Sequence, residues 1–218
     1  MRTRKKKWAS SELSNNPRIL RDEAAYDGRL GEFLAQHFGE TRPVHLELGC
    51  GKGRFIIETS RRQPDIHYVA VERDETILAT AARRAEENGA GNLVYIVADV
   101  SEGLNFLRPG EISRLYINFC DPWSRKKKWA KRRLTHENFL SIYEGLQIPE
   151  IFFKTDNRIL FEASLESFSR CGWLLKNISL DLHADEPEDN IRTEYEDKFS
   201  VHGPIYRLEA EKIERNNP

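Results

Sequence analysis

The stretch VHLELGCGKG, residues 44–53, joins a short apolar strand to a glycine-rich turn. Glycines permit a tight turn and let a ligand approach the backbone closely. A helical segment follows at 52–62, and Pro64-Asp65 ends it. A strand that runs through such a turn into a helix is the repeating unit of a parallel sheet.

The same alternation of strands and helices continues outward from this stretch. Strands are predicted at 44–48, 67–72, 93–99, 114–119, 150–154, 173–182 and 204–212. Helices are predicted at 17–38, 52–62, 74–88, 102–107, 135–145 and 158–170. The pattern predicts a doubly wound, mostly parallel, seven-stranded α/β sheet whose last strand is antiparallel. Residues 1–40 are interpreted as a basic arm with a lead-in helix, and residues 41–218 as the main domain.

Length and composition limit the classes of protein to consider. The chain has 218 residues, 39% hydrophobic and 32% charged, which is typical of one soluble α/β domain. No apolar run approaches the ~18 residues of a membrane helix, and no apolar stretch follows the basic start, so we expect neither membrane nor secretory targeting. The three cysteines are dispersed and form no zinc pattern, which favours a metal-free protein of the reducing cytoplasm.

Basic residues concentrate in two segments. Residues 2–7 carry five basic side chains and residues 125–133, RKKKWAKRR, carry seven, with no acid in either. The rest of the chain has 22 basic and 35 acidic residues, so the near-neutral total hides a strong asymmetry. Such segments predict a localised site for a polyanion. The alternative interpretation is two solvated charge runs.

Acidic residues follow three successive predicted strands. Glu47 precedes the glycines, Glu72 ends the second strand and Asp99 ends the third. A carboxylate after the second strand can accept from two ribose hydroxyls, and one after the third can accept from an adenine amino group. Arg54 stands where a dinucleotide fingerprint needs glycine, and no phosphate loop is present. The acids together therefore favour a cationic nucleoside without phosphates, S-adenosylmethionine. The alternative interpretation is that Glu72 and Asp99 are ordinary helix N-caps or exposed acids.

A second polar motif, NFCDPW at 118–123, follows the fourth strand. Proline restricts Asp121 to extended geometry, and Trp123 offers a ring for stacking. The motif is similar to the Asn/Asp-Pro-Pro-aromatic loop of enzymes that methylate amino groups of bases, but it has one proline. Directly behind it lies the basic run 125–133, which suits phosphate contacts. The alternative is a structural turn with a core tryptophan.

The chain resembles the bacterial tRNA (guanine-N7)-methyltransferase family over nearly its whole length. The strings that carry this resemblance are RTRKKKW (2–8), ELGCGKG (47–53), NFCDPW with its basic run to KRRL (131–134), FKTDNR (153–158), SLDLH (179–183) and TEYE (193–196). The resemblance implies a Rossmann-like class I methyltransferase fold and methyl transfer from S-adenosylmethionine to N7 of a tRNA guanine, at position 46 of the variable loop. Methylation of another RNA base, or non-catalytic RNA binding on this fold, are the alternatives.

The resemblance also implies roles for individual residues. Asp121 is the catalytic candidate. The cofactor set is Glu47, Gly49, Gly51, Gly53, Glu72, Asp99 and Asp121. The substrate set is Arg125, Asp156, Thr193, Glu194, Tyr195 and Glu196. The RNA set is Lys127, Lys128, Trp129, Lys131 and Arg132. Arg125 departs from the lysine that the family commonly has, and the protein is expected to be a monomer or homodimer.

The segment TEYE follows a loop rich in acids, at residues 185–189. We expect it to close as a lid over the base. Its carboxylates could accept from N1–H and from the N2 amino group, the donor edge that separates guanine from adenine.

Overall fold

The structure, a computed structural model, describes residues 7–20, 30–123 and 127–213. The chain divides into two compact units, Met1–Ile112 and Ser113–Pro218, here called the first and second unit. This division does not test the boundary that the sequence predicts between residues 40 and 41, which stays a prediction.

The described residues of the first unit form four parallel strands in the order β1-β4-β3-β2. The strands are β1 (Ile19–Leu20), β2 (Val44–Leu48), β3 (His67–Glu72) and β4 (Leu93–Val97). The helices are α1 (Lys7–Asn15), α2 (Leu30–Phe38), α3 (Arg54–Arg62) and α4 (Glu75–Glu87), with a 3₁₀ turn at Val100–Glu102. All five residues of β2 are buried, as expected for a parallel strand covered on both faces.

The register of this unit brings the carboxyl ends of three strands to one edge. Leu48 of β2 lies beside Val71 of β3, and Glu72 lies beside Val97 of β4. Parallel strands bind ligands at this edge. The pairing therefore places the predicted cofactor acids at the ends of neighbouring strands.

Helix α1 packs against α4. The guanidinium of Arg83 lies 4.4 Å from the centre of the Trp8 ring, and the Asn16 amide donates to Glu86 at 3.0 Å. Leu13 of α1 is buried. The segment expected to be a basic arm thus includes a helix that is part of the first unit.

In the second unit, the part of the chain that the structure describes forms four strands in the order β5-β6-β8-β7. The strands are β5 (Arg114–Asn118), β6 (Glu150–Thr155), β7 (Trp173–Ser179) and β8 (Tyr206–Lys212). The helices are α5 (Glu137–Gly145), α6 (Arg158–Arg170) and α7 (Glu194–Phe199), with 3₁₀ turns at Lys127–Arg132 and Ser200–His202. Strands β5 and β6 are parallel, and β8 is antiparallel to both β6 and β7.

The predicted fold class is confirmed, with a parallel majority and an antiparallel last strand. Two details differ. The described residues contain eight strands, because Ile19–Leu20, expected to be helical, pairs with β4. The helix expected at 102–107 is replaced by the 3₁₀ turn, which ends at Gly103 with φ of 111°. No helix within the described ranges is long and apolar enough to cross a membrane.

Candidate cofactor and substrate sites

The glycine-rich turn after β2 has the backbone geometry that its sequence predicts. Gly49, Gly51 and Gly53 have φ of 78°, 56° and 82°, in the left-handed region that favours glycine. A Cβ on Gly53 would lie 2.9 Å from the Cβ of Ala81 in α4, whereas one on Gly49 or Gly51 would meet nothing within 4 Å. Gly53 therefore serves helix packing, and the other two leave the turn open to a ligand.

Glu72 ties this turn to the end of β3. Its Oε2 accepts from the Gly51 amide at 3.2 Å, and its Oε1 accepts from the Asp74 amide at 3.0 Å. An ionised carboxylate has about four acceptor sites. Glu72 can therefore hold the turn and still accept from the hydroxyls of a bound ribose.

Asp99 caps the 3₁₀ turn that follows β4. Its Oδ1 accepts from the amide of Ser101 at 2.9 Å and from the hydroxyl of Ser101 at 2.7 Å. The helix-cap interpretation therefore describes part of its role. The side chain is half-buried, and its remaining acceptor sites suit an adenine amino group.

Negative charge is concentrated beside the turn. Glu47 is 2% exposed. Burial, with the nearby carboxylates of Glu47 and Glu72, raises the pKa of the Cys50 thiol well above its ordinary value. Carboxylates in a partly desolvated place attract a cation more strongly than the same carboxylates would in water. The residues of the first unit thus fit S-adenosylmethionine, with a ribose acceptor, an adenine acceptor and a carboxylate field for the sulfonium.

In the second unit, the NFCDPW loop is held at both ends. The Phe119 amide donates to the Lys154 carbonyl at 2.9 Å, and Arg133 Nε donates to the Pro122 carbonyl at 2.7 Å. Phe119 and Trp123 have φ of 53° and 45°, a region that residues with a Cβ rarely adopt. The loop therefore presents Asp121, which is exposed, in a defined place.

Three predicted residues of this unit lie together. The Tyr195 hydroxyl donates to Asp156 Oδ2 at 3.2 Å. Partial burial raises the pKa of Tyr195, and Asp156 and Asp121 raise it further through their negative charge. The Tyr195 ring lies 5.1 Å from that of Phe119 and stacks on Phe199 at 4.1 Å. Two carboxylates and a partly exposed ring thus form one surface, which suits a guanine with its donor edge and flat face.

Glu196 lies elsewhere than its predicted role requires. It is fully buried, and its carboxylate accepts from Lys154 Nζ at 2.6 Å and from Asn190 Nδ2 at 3.3 Å, and is bonded to His183 Nε2 at 2.9 Å. The Glu196 amide donates to the Thr193 hydroxyl at 2.9 Å, which completes a capping box at the start of α7. In this conformation the carboxylate is inside the unit, and it does not face a base as Asp156 and Tyr195 can.

The remaining predicted residues differ in how far the structure describes them. Thr193 caps α7, and Glu194 is exposed beside it. Arg125 lies outside the described residues, as do the side chains of Lys127, Lys128 and Trp129, although their backbone forms the 3₁₀ turn. Lys131 and Arg132 are exposed, and the Arg132 guanidinium lies 4.8 Å from the centre of the Trp123 ring. These roles stay predictions.

Sequence reasoning did not single out four residues that shape the second site. These are Lys154, His183, Asn190 and Phe119. Lys154 has a visible signal, because it is a lone cation in the otherwise apolar core of EIFFKT. Phe119 and His183 lie within the strings NFCDPW and SLDLH, but the strings alone do not reveal their contacts with Lys154 and Glu196. Asn190 has no signal in the sequence.

Comparison with known proteins gives consistent family matches. A family model described as "Putative methyltransferase" matches residues 41–208. A tRNA (guanine-N(7)-)-methyltransferase of Macrococcus caseolyticus is 46% identical over 213 residues, which covers 96% of this chain and 99% of that protein. Its counterpart in Clostridioides difficile is 45% identical, with coverage of 97% and 99%.

Solved structures share the fold at much lower identity. The 16S rRNA methyltransferase KamB is 16% identical with a TM-score of 0.59, and the match covers 83% of this chain and 91% of that one. A variant of the 16S rRNA (adenine(1408)-N(1))-methyltransferase of Catenulisporales acidiphilia, solved with its cosubstrate, is 14% identical with a TM-score of 0.57, covering 86% and 93%. At this identity the likeness concerns the fold alone.

Proposed function

The chain belongs to the tRNA (guanine-N7)-methyltransferase family, and from this we propose that it transfers the methyl group of S-adenosylmethionine to N7 of guanine 46 in tRNA. The main support for this reaction is the match to relatives of that name, which covers 96–97% of this chain. The acids at the ends of β2, β3 and β4 support the cofactor. The choice of guanine 46 rests on the family resemblance.

Methylation of N7 does not require the protein to remove a proton from the base. N7 of guanine carries an in-plane lone pair, so it needs no deprotonation before it attacks. S-adenosylmethionine, when bound, supplies an electrophilic methyl group. Catalysis then consists mainly of alignment and of stabilising the positive charge that develops on the ring. We therefore assign Asp121 an electrostatic and positioning role rather than that of a general base.

The substrate surface of the second unit supports recognition of guanine. Asp156 can accept from a donor edge while it also accepts from the Tyr195 hydroxyl. The ring of Tyr195, 41% exposed, offers a face on which a base can stack. Adenine presents a different donor pattern on that edge, so the same surface would disfavour it.

We also propose a cytoplasmic location, where tRNA is modified, and assembly as a monomer or homodimer. The basic run 125–133 would contact tRNA phosphates, because counterion release dominates affinity for nucleic acid. No metal enters this proposal, since alignment and charge suffice for attack by N7.

The test of this function is methyl transfer to a tRNA transcript that lacks modifications. The purified chain is incubated with methyl-labelled S-adenosylmethionine and the transcript, and nucleosides are separated. We expect 7-methylguanosine, and we expect none from a matched transcript with adenine at position 46. Label in another nucleoside would overturn the assigned atom, and label in the second transcript would overturn the assigned position.

Neutralising Lys131 and Arg132, near the C-terminal end of the basic run, should weaken tRNA binding and reduce its salt dependence. For Lys131→Gln/Arg132→Gln we expect the log–log slope of affinity against salt to fall by about 0.7–0.9 per lost phosphate contact. Filter binding between low and moderate salt measures this slope. Arg61→Gln/Arg62→Gln, an equal charge change on α3, is the control and should leave the slope unchanged. Equal slopes for the parent and the Lys131→Gln/Arg132→Gln variant would remove these two residues from the interface.

A further inference from the structure

Lys154 is a buried cation near the end of β6. Its side chain is 7% exposed, and its strand neighbours Phe153 and Thr155 are buried as well. Burying an ammonium is costly unless it is paired and hydrogen-bonded. The partners of this ammonium therefore indicate what it does.

The Lys154 ammonium donates to one segment that is distant in sequence, residues 190–196. Nζ donates to Glu196 Oε2 at 2.6 Å, to the Ile191 carbonyl at 2.9 Å and to Asn190 Oδ1 at 3.3 Å. A lysine has three N–H donors, so these contacts engage its full donor capacity. The ammonium thus fastens residues 190–196 to the end of β6.

The Glu196 carboxylate is the counterion of the Lys154 ammonium. Burial by itself would raise the pKa of this carboxyl, but the Lys154 ammonium and the hydrogen bonds from Lys154, His183 and Asn190 lower it below its ordinary value. Glu196 is therefore ionised at neutral pH, and its charge is matched by Lys154. The carboxylate also accepts from the Thr193 amide at 3.3 Å, so it orders the start of α7.

The backbone around Lys154 reaches the other predicted substrate residues. Its carbonyl accepts from the Phe119 amide, at the beginning of the loop that carries Asp121. Asp156 follows two residues later and accepts from the hydroxyl of Tyr195, the neighbour of Glu196. One residue thus connects the Asp121 loop with the segment that carries Tyr195.

We propose that Lys154 is a positioning residue for the methyl transfer: its ammonium holds residues 190–196, and with them Tyr195, against the strand whose backbone also holds the Asp121 loop. The catalytic part of this inference rests on the proposed function. A buried ion pair often contributes little net stability compared with apolar residues of the same size. We therefore attribute to the Lys154 ammonium the ordering of residues 190–196 in the substrate surface, rather than a gain in stability.

The test must separate positioning from simple neutralisation of a buried charge. Lys154→Met alone leaves the Glu196 carboxylate without its cation and could unfold the second unit. The informative pair is therefore Glu196→Gln and Lys154→Met/Glu196→Gln, in which no buried carboxylate is left unmatched by the loss of Lys154. Lys176→Met is the matched control, because Lys176 pairs with Glu211 at the exposed surface of the same unit.

We expect the double variant to have a kcat at least about tenfold below that of Glu196→Gln, since small misplacements of a substrate have large effects on rate. Affinity for tRNA and for S-adenosylmethionine should stay within about twofold, because phosphate contacts dominate the former. Hydrogen exchange at the amides of Glu196 and Asp197, which donate to Thr193, should be faster in the double variant. Lys176→Met should change none of these quantities.

Equal kcat and equal amide exchange in the two variants would overturn the inference. Such a result would mean that Lys154 only neutralises Glu196. If the parent chain forms no 7-methylguanosine, the proposed function fails instead. Amide exchange, which needs no activity, then decides whether Lys154 orders residues 190–197.

Discussion

Replacing Asp121 by alanine is expected to lower kcat by about 10²–10³-fold, the usual effect of removing one preorganised electrostatic group. The physical reason is the positive charge that guanine acquires as N7 is methylated. A carboxylate that the flanking loop holds in place stabilises that charge without having to reorganise. Single-turnover methylation of tRNA measures the effect. Affinity for tRNA should stay within about twofold, since it depends mainly on phosphates.

Asp121→Asn separates the two ways in which the carboxylate can act. If its charge matters, asparagine should be nearly as slow as alanine. If it accepts a hydrogen bond from guanine, the amide oxygen should restore part of the rate. Asp65→Ala, at an exposed position of the first unit, is the control and should keep the parent rate. Full turnover by Asp121→Ala would remove this residue from the catalytic machinery, whereas a parent chain that binds tRNA without any turnover would favour the alternative of a non-catalytic RNA-binding protein.

Replacing Glu72 by alanine should weaken binding of S-adenosylmethionine by about 10²-fold or more. Each hydrogen bond to a charged acceptor contributes about 1.5–3 kcal/mol, and about 1.4 kcal/mol corresponds to a tenfold change in Kd. Two bonds to ribose would be lost, together with the anchors to the amides of Gly51 and Asp74. Calorimetric titration with the cofactor measures the change.

Glu72→Gln tests whether the carboxylate acts as an acceptor or only as an anchor. The amide keeps one oxygen, so we expect a Kd between those of the parent and of Glu72→Ala. Glu87→Ala, at an exposed position of α4, should leave the Kd unchanged. An unchanged Kd for Glu72→Ala would show that the acids after the strands do not form the cofactor site.

Much of the fold was predictable because its signals are local. The apolar runs of β2 and β3, the glycine turn and the capping residue Asp74 each specify their own structure within a few residues. Strand β1 was missed because two residues carry no periodicity, and its structure comes from pairing with β4. Helix α1 was missed because its basic surroundings suggested an arm, whereas its contact with α4 stabilises it.

In the candidate sites too, residues with a local signal could be predicted and residues placed by distant contacts could not. The cofactor acids could be found because each follows a recognisable strand. The family resemblance and the donor edge of guanine predict a direct contact between Glu196 and the base. The burial of Glu196 depends on Lys154 and His183, which lie 42 and 13 residues away in the sequence. No local sequence pattern predicts these contacts. The strings that carry a family resemblance point to residues of interest without showing whether they touch the substrate.

The left-handed conformations of Phe119 and Trp123 have a consequence for engineering and for evolution. Such backbone conformations in residues with a side chain cost about 1–3 kcal/mol each and persist only where the surroundings impose them. Glycine at either place would relieve this backbone cost, but it would also remove a ring that packs on Tyr195 or Arg132. Since it would also loosen the carboxylate between them, the strained backbone of this loop is coupled to the fixed position of Asp121.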